Sequence, residues 1–308
     1  MADSIENFTE NEEILQILKD NYSIPFDRIE FFRDGGSTTY IAFAAERKYF
    51  LRRLKPAFFD TAIKGADIHM FLQERDFPVP LIIVTRKKSL YIQDKNGLFI
   101  LYEYIEGAAS DPDTDAEALG PLVGRLHSLM KEYPGELVKR DKYFFIGKYI
   151  DILNRKKYPK ADEFQAYGEA LWEKVRDLPQ RYCHGDMYSG NIHKDPKGRL
   201  YVLDFDTSCE GFPMYDIALL CNRTHYFDFN EEGYEKSRQV FSRFLPEYRK
   251  HNPLSQKEAD SFFDLIALYH FALQAVIIEI HGLDCVDDIF LNKQLDWLNK
   301  WRKQCAAN

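Results

Sequence analysis

The chain has 308 residues, enough for one large domain or two lobes with a sizeable buried core. With 45% hydrophobic and 15% aromatic residues it is not a disordered chain. A net charge of −8 argues against nucleic acid or an anionic membrane surface as a partner, and permits a cationic small molecule.

The first residues, MADSIENFTENEE, are acidic and lack a basic n-region and an apolar h-region, so no signal peptide is expected. The five cysteines, Cys183, Cys209, Cys221, Cys285 and Cys305, are odd in number and form no CxxC pair. Neither a disulfide framework nor a zinc knuckle follows from them, and a reducing cytoplasm is the expected home. Ile14, Leu15, Ile17 and Leu18 predict a short N-terminal helix. The aromatic and β-branched runs Ile29–Phe32, Tyr40–Ala44 and Tyr49–Leu54 predict three strands. Asp34-Gly35-Gly36 and Glu46-Arg47-Lys48 supply the turns between them. A helix is predicted from about Asp60 to Arg75, ended by Phe77-Pro78-Val79-Pro80, because proline disfavours helix at itself and at the residue before it. Leu81–Val84, Leu90–Gln93 and Leu98–Tyr104 read as further strands.

The composition then changes. Residues 106–117, EGAASDPDTDAE, are turn-forming and acidic and predict a hinge. The expected division is an N-terminal lobe, 1–105, of antiparallel sheet with one helix, and a larger, mainly helical lobe, 106–308. The second lobe opens with a helix from Ala116 to Met130. Its most apolar segment, Phe262 to Ile280, carries Asp264, His270, Gln274 and Glu279. It is expected to be a buried amphipathic helix rather than a membrane span, with Tyr269, His270, Gln274 and Glu279 mostly satisfied core polar groups. The run NRKKYPK, 154–160, reads as a solvated helix end.

The helical pattern is interrupted by RYCHGDMYSGNIHKDPKGRLYVLDFD, Arg181 to Asp206. Carboxylates and amides set among strand residues are costly unless something pairs them. Asp195-Pro196-Lys197-Gly198 suits a type I turn, which makes the surrounding residues a β-hairpin. Asp186 and Asn191 form a D-x-x-x-x-N pattern, and Asp204 follows thirteen residues later. Phosphoryl transfer needs a carboxylate at the acceptor hydroxyl and hard oxygen ligands for Mg²⁺, and a loop followed by a hairpin would gather these three residues. His184 reads as a structural hydrogen-bonder. A zinc reading of Cys183, His184, His193 and Cys209 fails on spacing.

The order HGD, Asn, DFD resembles the signature of the aminoglycoside phosphotransferase and choline kinase superfamily. KYFLRRL, FILYEYIEG, LVGRLHSL and GFPMYDIALL are similar to its third strand, hinge strand, first large-lobe helix and post-metal segment. The resemblance runs from about Phe31 to Leu283. It implies an α+β, two-lobed protein-kinase-like fold and an ATP- and Mg²⁺-dependent transfer to a small-molecule hydroxyl acceptor. It implies Asp186 as the catalytic residue, Asn191 and Asp204 as Mg²⁺ ligands, and Arg52 against the ATP phosphates. Glu103, Tyr104 and Ile105 would give adenine its backbone contacts, and Asp216 would support the catalytic loop. Two departures stand out. Arg52 replaces the usual lysine, with Arg53 on the opposite face of the strand. The helix acid expected to pair with that cation is missing. Gly65 lies about where it belongs, with Asp67 the next candidate and Glu74 a poorer one. The missing acid keeps open a second reading, a non-catalytic nucleotide-binding module. Asp206 is left as either a metal or substrate contact or a turn cap. A metal-dependent hydrolase would leave the hinge and third strand unexplained.

Overall fold

The computed structural model describes residues 2–307. They form two compact units. The first runs up to Ala109 and takes in 191–207 as well, residues that a division at 105/106 leaves with the second. The second holds 110–190 and the chain from Ser208 onward.

The first unit opens with helix α1 (Ala2–Asn21), longer than the helix predicted from its apolar residues. Strands β1 (Arg28–Arg33), β2 (Ser37–Ala44), β3 (Arg47–Leu54), β4 (Ile92–Asp94) and β5 (Gly97–Glu103) form one antiparallel sheet in the order β1-β2-β3-β5-β4. Helix α2 (Phe59–Gln73) lies between β3 and β4 in the chain. The period-2 alternation of a strand divides the side chains between two cores. Ile14, Leu18 and Tyr22 pack with Tyr40, Ala42, Tyr49, Leu51, Phe99 and Leu101 on one face. Ala62 and Ala66 of α2 pack with Leu54, Leu98, Ile100 and Tyr102 on the other. Arg52 therefore faces α2, whereas Arg53 faces α1 and pairs with Glu10. The strand expected at Leu81–Val84 reduces to a single bridge, Ile82 to Tyr102. Pro78 and Pro80, just upstream, have no N–H to extend a ladder.

A second small sheet of this unit joins β6 (Ala108–Ala109), β9 (Ile192–Lys194) and β10 (Leu200–Val202) in the order β10-β9-β6. The predicted hairpin is present, with Gly198 N–H closing its turn on Asp195 O at 2.9 Å. Asp195 also accepts from the N–H groups of Lys197 and Arg199.

The second unit is mainly helical. It contains α3 (Pro112–Leu129), α4 (Lys148–Arg155), α5 (Ala161–Val175), α6 (Pro213–Cys221), α7 (Gly233–Arg249), α8 (Gln256–Asp260), α9 (Phe262–His281) and α10 (Asp288–Ala307). Asp111 caps α3 by accepting from Asp113 N–H at 3.0 Å, with Pro112 at the first position. Among the described helices α9 is long and apolar enough to cross a membrane, and more than half of that span is buried in the fold. Strands β7 (Val138–Lys139), β8 (Arg181–Cys183) and β11 (Cys209–Gly211) form a small sheet in the order β7-β11-β8. Antiparallel pairing sets Cys209 opposite Cys183. β8 runs directly into His184-Gly185-Asp186, and β11 leads through Phe212 into α6, whose first turn carries Asp216. The strand pairing thus brings a helix N-terminus to the HGD loop.

Candidate active site

In the second unit, Asp216 organises the loop. Its carboxylate is fully buried and accepts from His184 N–H at 2.6 Å, Gly185 N–H at 2.9 Å and His127 Nε2 at 3.0 Å. Burial alone would raise this carboxyl, but the hydrogen bond and charge of His127 and the neighbouring donors hold it below its usual value. His127 is fixed in turn by Tyr248 Oη at 2.8 Å, and Asn252 donates to that same oxygen. Arg140 donates to Gly185 O at 2.9 Å and stacks over Phe144. Gly185 takes φ +82°, a conformation glycine adopts without Cβ strain. With the two preceding N–H groups and a carbonyl tied down, the chain presents Asp186 at a fixed place, its side chain only partly buried. His184 is buried as a structural member of the loop, and its Nδ1 faces Asp186 N–H at 3.4 Å. Tyr269 lies close enough to Asp186 that burial together with this carboxylate pushes its phenol up to about 12.

In the first unit, Leu203 N–H donates to Asn191 O at 2.9 Å, which ties Asn191 to the residue just before Asp204 at the base of the hairpin. Asp204 takes φ +57°, uncommon for a residue with a Cβ, and its side chain is 43% exposed. Arg52 meets both acids of the DFD segment. Its Nη1 lies 3.4 Å from Asp204 Oδ1, and its Nη2 donates to Asp206 Oδ2 at 2.7 Å. Burial would lower the guanidinium pKa, but the two carboxylates more than offset this and Arg52 stays charged. Phe205 between them is buried and meets the His69 ring edge-on at 5.5 Å. His69 contacts Pro80 O, and burial brings its imidazole down to about 4, so it is neutral.

A model of the phosphotransferase enzyme family matches residues 28–254. The chain belongs to this family. A protein of Deinococcus radiodurans named only as uncharacterized is 23% identical over 228 residues, 68% of this chain and 64% of that protein. A homoserine kinase of Rhodospirillum rubrum is 31% identical over 90 residues, 29% of this chain and 26% of that enzyme. Among solved structures, an amicoumacin kinase bound to AMP-PNP and Ca²⁺ superposes with a TM-score of 0.74 at 18% identity, covering 99% of this chain and 96% of that one. A microcompartment-associated aminopropanol kinase gives 0.68 at 16% identity, covering 96% of each chain. The choline kinase LicA of Streptococcus pneumoniae gives 0.64 at 19% identity, covering 96% and 99%. At these identities the likeness establishes the kinase-like fold.

The donor set of the family's Asn and Asp positions suits a hard divalent cation. An amide oxygen and a carboxylate are the kinds of ligand Mg²⁺ takes from a protein, with waters and phosphates at its other positions. Among the described residues no three His, Cys, Asp or Glu side chains gather to hold a metal by themselves. At the hinge position, Glu103 ends β5 and its N–H already donates to Leu81 O at 2.8 Å. The Tyr104 ring lies under Lys48. The helix-acid candidates resolve against α2. Asp67 and Glu74 are exposed, and among the described residues neither pairs with Arg52.

The polar residues of α9 divide. Glu279 pairs with Lys148 at 3.3 Å, and Gln274 donates to Gln294 at 3.1 Å. His270 departs from the expectation of a satisfied core group. Neither ring nitrogen has a partner among the described residues, and the ring stacks on Trp297 with centroids 3.5 Å apart. Desolvation brings it down to about 3, so it is neutral. Two members of the Asp216 network, His127 and Tyr248, were not singled out from the sequence. The signal available for His127 was a histidine in the family-like LVGRLHSL helix; Tyr248, on α7, gave none.

Proposed function

We propose that this protein is an ATP- and Mg²⁺-dependent kinase that moves the γ-phosphoryl group of ATP to a hydroxyl of a small acceptor. The observation that supports the reading is the backbone bond from Leu203 to Asn191, which joins Asn191 to the residue just before Asp204 in a family that transfers phosphate. Asn191 and Asp204 would hold Mg²⁺, which supplies charge neutralisation on the phosphates when bound. Arg52 adds a fixed positive charge toward the same phosphates. Glu103, Tyr104 and Ile105 contribute backbone to adenine. Asp186 orients the acceptor hydroxyl and accepts its proton late in the transfer, as suits a loose transition state where catalysis is mostly positioning. The acceptor class is an amino sugar, amino alcohol, sugar or hydroxy amino acid; amicoumacin, aminopropanol, choline and homoserine kinases all lie among the similar proteins. The binding-module reading drew on a cation without an acid, and Arg52 has two carboxylates against it.

A thermal-shift screen with ATP·Mg²⁺ and an alcohol, amino-sugar and amino-acid library, followed by ADP release on the hits, tests this reading. The Asp204→Ala protein should fold and lose most of the Mg²⁺-dependent stabilisation by ATP. Unchanged ATP·Mg²⁺ affinity in that variant would reject the site.

A further inference from the structure

We propose that Asp206 is the positioning carboxylate of Arg52, supplying from the segment after β10 the charge that the family resemblance places on helix α2, and that Gly65 is what admits it. The inference rests on the reading of Arg52 as a phosphate contact.

The geometry leaves α2 no room for an acid at this place. A Cβ built on Gly65 would stand 2.7 Å from Asp206 Oδ1, 3.0 Å from its N and 3.1 Å from its Cα. The side-chain oxygen could swing away, but the backbone N and Cα would have to give by a few tenths of an ångström. The space in front of Gly65 is thus taken by the backbone and carboxylate of Asp206. One turn along the same helix, His69 meets Phe205. Gly65 and His69 are spaced i, i+4 and share a helix face, so α2 seats the DFD segment through two consecutive turns.

The carboxylates two residues apart are not equivalent. Asp206 makes a two-point contact with the guanidinium, Nη2 to Oδ2 at 2.7 Å and Nη1 to Oδ1 at 3.4 Å. The Arg52 and Asp206 side chains are only 12% and 17% exposed. Asp204 has one contact at 3.4 Å and is far more open. A forked guanidinium–carboxylate pair fixes both position and plane. Ser37 Oγ, 3.5 Å from Nε, lies on the remaining side. An unpaired arginine samples many rotamers, and ordering it on binding costs affinity. Asp206 removes that cost beforehand and leaves Asp204 to the metal.

The test measures ATP and adenosine affinities by calorimetry, in EDTA and in Mg²⁺. Arg52→Ala should weaken ATP more than adenosine. Asp206→Asn should weaken ATP in EDTA by about tenfold, the scale of one charge-assisted hydrogen bond, with adenosine unchanged. In the Arg52→Ala background, Asp206→Asn should have no further effect on ATP, because its partner is gone. The Arg52 side-chain NMR signals, slowed in rotation by the forked pair, should average in Asp206→Asn. If Asp206→Asn does not fold, Gly65→Ala makes the same test with every charge retained, by pressing on Asp206. An Arg52→Ala loss equal for ATP and adenosine would overturn the nucleotide reading and this inference with it. An Arg52→Ala loss specific to ATP, beside unchanged ATP binding in Asp206→Asn and Gly65→Ala, would overturn the inference alone. So would an Asp206→Asn loss confined to Mg²⁺, or one that persists in full without Arg52, since each makes Asp206 a direct ligand contact.

Discussion

Two clusters of carboxylates, Asp216 in the second unit and Asp204 with Asp206 in the first, use one side-chain chemistry in opposite ways. Asp216 is fully buried and shared among two backbone N–H groups and a histidine. Its hydrogen-bonding capacity goes into fixing the loop that carries Asp186. The DFD acids stand against a single buried cation, and Asp204 remains 43% exposed. A carboxylate with its lone pairs committed inside the fold is a structural part. One with lone pairs open to solvent has acceptor capacity left for a ligand. Burial and donor count, rather than residue type, separate the two roles.

The largest expected effect breaks the buried member. Asp216→Ala leaves two backbone N–H groups and His127 without their acceptor, and should lower unfolding free energy by about 3–5 kcal/mol in urea melts. Its pH dependence sharpens the contrast. The folded-state value of this carboxyl is depressed, so its contribution is fully present above the unfolded value of about 4 and is lost as the pH falls through the lower folded value. The difference between wild type and Asp216→Ala should therefore be flat above about pH 5 and shrink below about pH 4. A difference still constant at pH 3 would contradict the depressed carboxyl.

Next in size is a change that spares both clusters. Asp186→Asn keeps the loop shape and removes a proton acceptor. Once an acceptor is known, turnover should fall by about 10²-fold or more, with ATP·Mg²⁺ affinity close to wild type. Wild-type turnover in that variant would show that the fixed loop does not present a base. The smallest effect comes from the edge of the buried network. Tyr248→Phe removes the hydroxyl that meets His127 and Asn252 while leaving the three donors to Asp216 intact. A loss of about 1 kcal/mol is expected, with little change in turnover. A turnover loss as large as that of Asp186→Asn would mean that His127 governs the loop more tightly than its hydrogen bonds indicate.

Much of this was legible in the chain. Strand alternation set Arg52 and Arg53 on opposite faces, and the faces indeed carry separate cores. The DPKG turn and its hairpin followed from local turn chemistry. Leu81–Val84 reads as a strand by composition, yet the chain forms only one bridge there, beside prolines that cannot donate.

The sequence by itself determined most elements of the first unit, the family and the identity of the polar residues at the HGD, Asn and DFD positions, because these rest on local periodicity and close spacing. Tertiary structure alone decided which carboxylate each group meets. Residues 191–207 join the first unit although they follow residues 110–190 of the second. That return brings Asp206 to Arg52, from 154 positions away, and against the bare face of Gly65. Likewise His127 reaches Asp216 across 89 positions and Tyr248 across 121. No spacing rule covers contacts of that separation. They follow from how the chain packs, and a glycine in place of an acid shows its purpose only when the atom that fills the space is known.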